Sequence, residues 1–230
     1  MNETVVDCRD RSTREINREI RGLIAGGCLQ IRVTEPEARH NLGVALLHPA
    51  SVHFEGSVGY YCAGMSDQAH VEVSGSAGWG LAECMLGGSV VVRGSAGSGA
   101  AASIRGGTVV VHGDVGARAG CAMKGGTLIV GGNSGYMTGF MGQKGTIIVC
   151  GDAGAALGDS MYETEIYVGG SICELGNDAV IAEPTAQELA DLHAALTQHG
   201  FHAGRHWKKV LSGRKLWNFD RTEALWREAL

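Results

Sequence analysis

VVVHGDVGARAGCAMKGGT, residues 109–127, opens on three β-branched residues and then gives five of its remaining sixteen positions to glycine. Read alone, it could be a phosphate-gripping loop or one unit of a repeat. Its flanks decide. Residues 90–108 read VVVRGSAGSGAAASIRGGT and residues 128–146 read LIVGGNSGYMTGFMGQKGT, so the pattern recurs every 19 residues. Extended outward, the register starts rows at 52, 71 and 147, with no insertion or deletion, and a seventh row, IYVGGSICELGND, opens at 166 and breaks off.

The columns of this array carry the physics. First and third positions are Val, Ile or Leu, with Phe54 in the first row, and so point to one side of a short strand. The fifth column is glycine throughout: Gly56, Gly75, Gly94, Gly113, Gly132, Gly151 and Gly170. The sixth is always Ser, Asp or Asn, and the eighth is glycine in six rows, with Cys173 in the seventh. The Gly-then-polar pair is turn chemistry, which places the fifth-column glycines at corners with positive φ. A unit this short cannot bury its own apolar side, so it must stack on its neighbours. A leucine-rich repeat is excluded by the missing Leu/Asn ladder and by the absence of a helical stretch in any row. The array predicts an all-β, single-stranded parallel β-helix of about seven 19-residue coils, roughly 30 Å long for six rows at ~4.8 Å per coil. Proline fits this: Pro36, Pro49 and Pro184 are the chain's three, and none falls between residues 50 and 183, where each strand needs its N–H.

Outside the array the sequence predicts caps. Residues 1–51 form an N-terminal helix and strand, residues 52–177 the β-helix, and residues 178–230 a helical, Trp-rich tail. Ser12 and Glu15 make a capping box ahead of Ile16, Ile20, Leu23 and Ile24, with Gly26-Gly27 to stop the helix. Thr185 and Glu188 make a second box before Leu189, Leu192 and Leu196, and Asp220-x-x-Glu223 a third. The tail holds three of the four Trp, and Trp207, Arg214, Trp217, Phe219 and Trp226 are the candidate partner interface, weighed against packing back onto the rod.

Composition narrows the function. The net charge of −5 leaves no basic footprint for nucleic acid, no apolar run approaches a membrane span, and the N-terminus lacks an apolar signal core, so the expected location is cytoplasmic. Seven cysteines without a CxxC pair read as free thiols, neither a metal site nor a disulfide framework. GSAGSG (94–99) lacks phosphate-loop spacing and a following helix. His202 and His206 lack the glutamate of a zinc-protease motif. Asp114, Asn133 and Asp152 share their column with serines, so turn capping accounts for them better than a calcium ladder. Arg93, Arg105, His112 and Lys124 on adjacent coils are read as a solvated face or a small patch for an acidic partner. No catalytic, cofactor-binding or metal-ligating residue is assigned.

The pattern GxxGxxxG…GG(T/S)(V/I)xV, best seen over 90–151, resembles the GXGXG domain at the C-terminal end of glutamate synthase large chains, over roughly residues 28–177. RSTREINREI, HWKKVL and GRKLWNFD resemble the short β-helix subunits of the N-methylglutamate synthase (methylamine–glutamate N-methyltransferase) family. The resemblance implies a right-handed β-helix and a non-catalytic subunit of a hetero-oligomer. It would join an amidotransferase-like subunit to an FMN-binding subunit that often carries an iron–sulfur cluster, and enclose an ammonia path between them. The complex would convert methylamine and L-glutamate to N-methyl-L-glutamate and ammonia. Asn2, not cysteine, follows Met1, so the amidotransferase nucleophile belongs to a partner. The alternatives are a β-helix subunit of a formylmethanofuran dehydrogenase-type complex and a freestanding assembly scaffold.

Overall fold

A computed structural model describes residues 3–202 and 206–213. Its main feature is a parallel β-solenoid of about seven turns with two short helices. The strands of the array are β3 (Ser51–Glu55), β4 (His70–Val73), β5 (Ser89–Val92), β6 (Thr108–Val111), β7 (Lys124–Val130), β8 (Lys144–Val149) and β9 (Glu163–Val168). They stack in register: Val71 pairs with Val90, Val90 with Val109, Val109 with Leu128 and Leu128 with Ile147. First- and third-column side chains point inward and are buried, where Met85, Ile104, Met123 and Met161 of the fifteenth column meet them from the far wall.

The ladder begins before residue 52. β1 (Thr4–Asp7) and β2 (Gln30–Thr34) pair in parallel, and β2 pairs with β3, Ile31 against Val52. Helix α1 (Thr13–Ala25) connects β1 to β2 and lays Ile16, Ile20 and Ile24 over that end of the core. Its N-cap is the expected Ser12–Glu15 box.

Two further ladders close the coil, and neither is a conventional strand. Seventh-column residues bridge coil to coil, from Val58 through Ala96 and Ser134 to Ile172. Columns ten, twelve and fourteen take left-handed backbone. In the row at 109 these are Arg118 (φ 58), Gly120 (φ 65) and Ala122 (φ 51). Their N–H groups donate alternately forward and back: Arg118 to Tyr136 O at 2.7 Å, Gly120 to Ala100 O at 2.8 Å, and Ala122 to Phe140 O at 2.8 Å.

The fifth-column glycines correct the turn reading. Only Gly56 among them has a positive φ, of 135. What demands glycine is the side chain of the coil below. Each sixth-column side chain accepts the N–H of the sixth residue one coil on: Asp114 N–H donates to Ser95 Oγ at 3.1 Å, Asn133 N–H to Asp114 Oδ1 at 2.6 Å, and Asp152 N–H to Asn133 Oδ1 at 2.8 Å. These oxygens reach under the neighbouring glycine, so a Cβ at Gly113 would lie 2.5 Å from Ser95 Oγ and 2.9 Å from Gly94 O. Ser, Asp and Asn share the column because each places an acceptor there.

The far end differs from the expected helical tail. After β10 (Ala179–Ala182) and α2 (Ala186–Gln198), β11 (Lys208–Ser212) inserts antiparallel between β9 and β10, giving the order β1-β2-β3-β4-β5-β6-β7-β8-β9-β11-β10. Lys208, Lys209 and Val210 of the tail thus join the ladder and occupy the edge of the last coil. The third capping box at Asp220 lies outside the described residues.

Candidate functional site

The rod presents two faces with chemistry. The first is the outward side of the strand ladder. Along column two the residues run His53, Glu72, Val91, Val110, Ile129, Ile148 and Tyr167, polar at one end and apolar at the other. The apolar end is covered from within the chain: Val110, Ile129, Ile148 and Tyr167 pack with Leu192 and Leu196 of α2 and with Trp207. Trp207, expected among the partner-facing residues, is therefore an internal anchor, 2% exposed. Arg214, Trp217, Phe219 and Trp226, its companions in that expectation, lie outside the described residues.

Under α2 a cavity of about 250 Å³ is lined by Thr127, Thr146, Glu165, Tyr167, Glu188 and Asp191, among others. An internal cation already answers two of its acids, and Asp191 accepts from Gln187 of the same helix. Lys209 of β11 is buried with its Nζ 2.5 Å from both Glu165 and Glu188. Burial alone would lower the lysine pKa, but the two carboxylate hydrogen bonds overrule it and hold the ammonium charged. Burial and then the Glu165 charge push the Tyr167 hydroxyl up to about 12. The cluster is a clamp between the last strands and α2.

The uncovered end of this face is an ion-pair surface. Arg32 bridges Glu3 and Glu55, and Arg93 binds Glu72 at 2.6 Å and His112 Nε2 at 3.1 Å. His112 leans on Phe201 at 4.8 Å, and burial first, then Arg93, lower its pKa. The basic patch read from the sequence is thereby divided. Arg93 and His112 are engaged here, whereas Arg105 and Lys124 follow the left-handed ladder.

That ladder carries the second face. Column nine projects aromatic rings: Tyr60 stacks on Trp79 at 5.3 Å, and His40, from the loop before the array, stacks on Tyr60 at 4.3 Å, planes within 13°. Ser98 and Ala117 follow in the same column, then Tyr136. The gap in the stack is a groove of about 420 Å³ walled by Trp79 and Tyr61 on one side and Tyr136 on the other, with a floor of Gly80, Gly99 and Ala102. Trp79 is 57% exposed and Tyr136 52%. A second depression of about 270 Å³ continues past Tyr61 and Glu83 to Met65. The sequence signal for this groove is column nine itself, where Tyr60 and Trp79 are followed by Ser98 and Ala117 and then Tyr136.

The remaining candidates resolve as scaffold. In GSAGSG the N–H groups of Gly94, Ala96 and Gly97 are spent on Gly75, Asp114 and Ala77 carbonyls, leaving none of the three for a phosphate. Asp114, Asn133 and Asp152 are inter-coil acceptors. All seven cysteines are free, and burial pushes the Cys62 thiol up to about 12. Among the described residues there is no group of three or more His, Cys, Asp or Glu positioned for a metal ion, and no helix long and apolar enough to cross a membrane.

No family model matches the chain. Protein GlxC of Rhizobium meliloti (strain 1021) is 48% identical over 219 residues, covering 94% of this chain and 96% of the relative. The chain belongs to the GlxC family. The GlxC-family fold also matches a chain in the X-ray structure of the formyltransferase/hydrolase complex (FhcABCD) from Methylorubrum extorquens with methylofuran. That match has a TM-score of 0.62 and 25% identity and covers 75% of this chain and 68% of the other. The structural neighbour is thus a chain of a multi-subunit complex.

Proposed function

We propose that this GlxC-family chain is the scaffold subunit of a glutamate synthase-like complex. It joins an amidotransferase-like subunit to an FMN-binding subunit and helps enclose the ammonia or amine path between them. The complex forms N-methyl-L-glutamate and ammonia from methylamine and L-glutamate. FMN and any iron–sulfur cluster reside on the partners. The observation that carries the scaffold role is the fold match to a chain of a multi-subunit enzyme complex, spanning three quarters of this chain. The GXGXG-like repeat favours glutamate synthase chemistry. A rigid rod suits the task, because passing a small amine between sites requires fixed separation and exclusion of water.

A subunit of a formyl-transferring complex is the second reading, favoured by the methylofuran named for the structural neighbour. One experiment separates them. The tagged chain is purified with its partners from its own host, and the eluate is examined by absorbance and assayed. Flavin bands and methylamine-dependent N-methylglutamate formation support the first reading. A flavin-free complex that handles a formyl group supports the second, and a lone 24.0 kDa chain sinks both.

A further inference from the structure

The aromatic groove has walls three coils apart, Trp79 in the row at 71 and Tyr136 in the row at 128, or about 14 Å at ~4.8 Å per coil. Subtracting the ring thickness leaves about 10 Å, close to the width of an α-helix. The floor is made of small side chains, so backbone of another segment can approach closely.

Charge says what kind of segment. Beside the groove run Arg105 and Lys124 in column sixteen and Lys144 one position later, and Arg118 lines it. Lys124 turns its ammonium back onto Ala122 O of the left-handed ladder, placing it on the groove side. None of these four is in an ion pair among the described residues, and the same is true of Arg14, Arg18, Arg21 and Lys208; Lys144 stands in register with Glu163 of the next coil. A chain with net charge −5 thus gathers four of its cations outside ion pairs around its exposed aromatic groove. Glu83 marks the opposite end of the groove.

We infer that the groove between Trp79 and Tyr136 seats an acidic, apolar segment of a partner subunit. Its large apolar side chains pack between the two rings and its carboxylates lie toward Arg105, Arg118, Lys124 and Lys144. A second copy of this chain is disfavoured by its own charges: a two-fold contact through this face offers only Glu83 from the groove lining to the four cations. The inference needs a partner chain, as the reading above does, but neither flavin nor amine chemistry.

The test is site-specific photo-cross-linking in the native host, with benzoylphenylalanine at Ser98 on the groove and, as control, at His53 on the strand face. Captured peptides are sequenced by mass spectrometry. The expected capture at Ser98 is a net-negative segment of a different chain bearing at least two large apolar residues. R105E/K124E, with unchanged circular dichroism, is expected to reduce that capture about tenfold or more, because like charges now face each other. Reversing two carboxylates of the captured segment is expected to restore it. Capture of a second copy, a nucleic acid, a lipid or a net-positive segment overturns the inference, as does capture indifferent to charge reversal, or none at Ser98. A colourless complex that still gives the expected cross-link sinks the glutamate synthase-like reading alone. A flavin complex silent at Ser98 sinks this inference alone.

Discussion

A Cβ at Gly113 would stand 2.5 Å from Ser95 Oγ and 2.9 Å from Gly94 O, closer than such atoms approach in folded proteins. The backbone carbonyl cannot swing away, because the coils are locked at 2.9 Å by Gly113 N–H to Gly94 O. Gly113→Ala is therefore expected to cost about 1–3 kcal/mol, read as a lower Tm. Adding Ser95→Ala removes one of the two clashes and should recover part of the loss, whereas additive losses would show that the hydroxyl is not what excludes the methyl. Ser103 offers the opposite case. It holds φ 56 without being glycine. Ser103→Gly trades about 1 kcal/mol of left-handed strain against a similar gain in unfolded-state entropy and should leave Tm nearly unchanged, while Ser103→Val should cost about 1–2 kcal/mol. Equal effects of the two would contradict the left-handed ladder. This ladder was not legible in the sequence, because columns ten and fourteen mix Tyr, Gly, Arg, Met, Ala, Cys and Ser, and column twelve, Ala or Gly throughout, signals small size and not a left-handed backbone. The conformation is imposed by hydrogen bonds to the coils above and below, an instance of tertiary context overriding local preference.

Among the elements, β11 and α2 are held by one cation. Lys209 lies between Glu165 of β9 and Glu188 of α2, its side chain 9% exposed. Lys209→Met leaves those two carboxylates facing each other and should cost about 1–3 kcal/mol at neutral pH, less than a fully buried pair because Glu165 is partly solvated. The pH dependence has a definite shape. The Lys209 hydrogen bond and the Thr185 N–H hold the Glu188 carboxyl below its usual range. Its contribution is therefore complete above the ordinary glutamate value of about 4.3 and fades as pH falls. The lysine is held above its usual range, so its contribution is complete below about 10.4 and fades as pH rises further. The melting-temperature gap between wild type and Lys209→Met should thus be flat between those values and narrow on both sides. A gap independent of pH would mean that packing, not charge, does the holding. Trp207 on the same segment packs against Ile148 and Leu196, so Trp207→Ala should cost about 3–5 kcal/mol by loss of packing. The capping boxes of α1 and α2 could be read directly, being contiguous in sequence. β11 could not, because KKVLS finds its partners in Ile166 and Ile181, far away along the chain.

At the scale of the molecule, the period of 19 was enough to give the solenoid, since every row repeats the same burial problem and the same acceptor beneath the same glycine. What the period could not give is how the stack ends, for the ends are where the repeat stops. A parallel ladder left open at β9 exposes a row of unpaired N–H and C=O groups that another molecule can extend. β11 closes it by pairing antiparallel, Val210 against Ile166 and Lys208 against Val168. Val210 is fully buried and contributes to the main core as well as to the ladder. Val210→Pro removes an N–H from that strand and its ring opposes the pairing, so β11 should detach while the inner coils, each held by neighbours on both sides, persist. The expected result is concentration-dependent self-association in light scattering with most of the far-UV signal retained, as free β9 edges meet. Val210→Ala trims the side chain but keeps the N–H, so it should lower Tm without self-association. Val210→Pro that stays monomeric at high concentration would show that β11 is a dispensable lid and that the last coil shields its own edge.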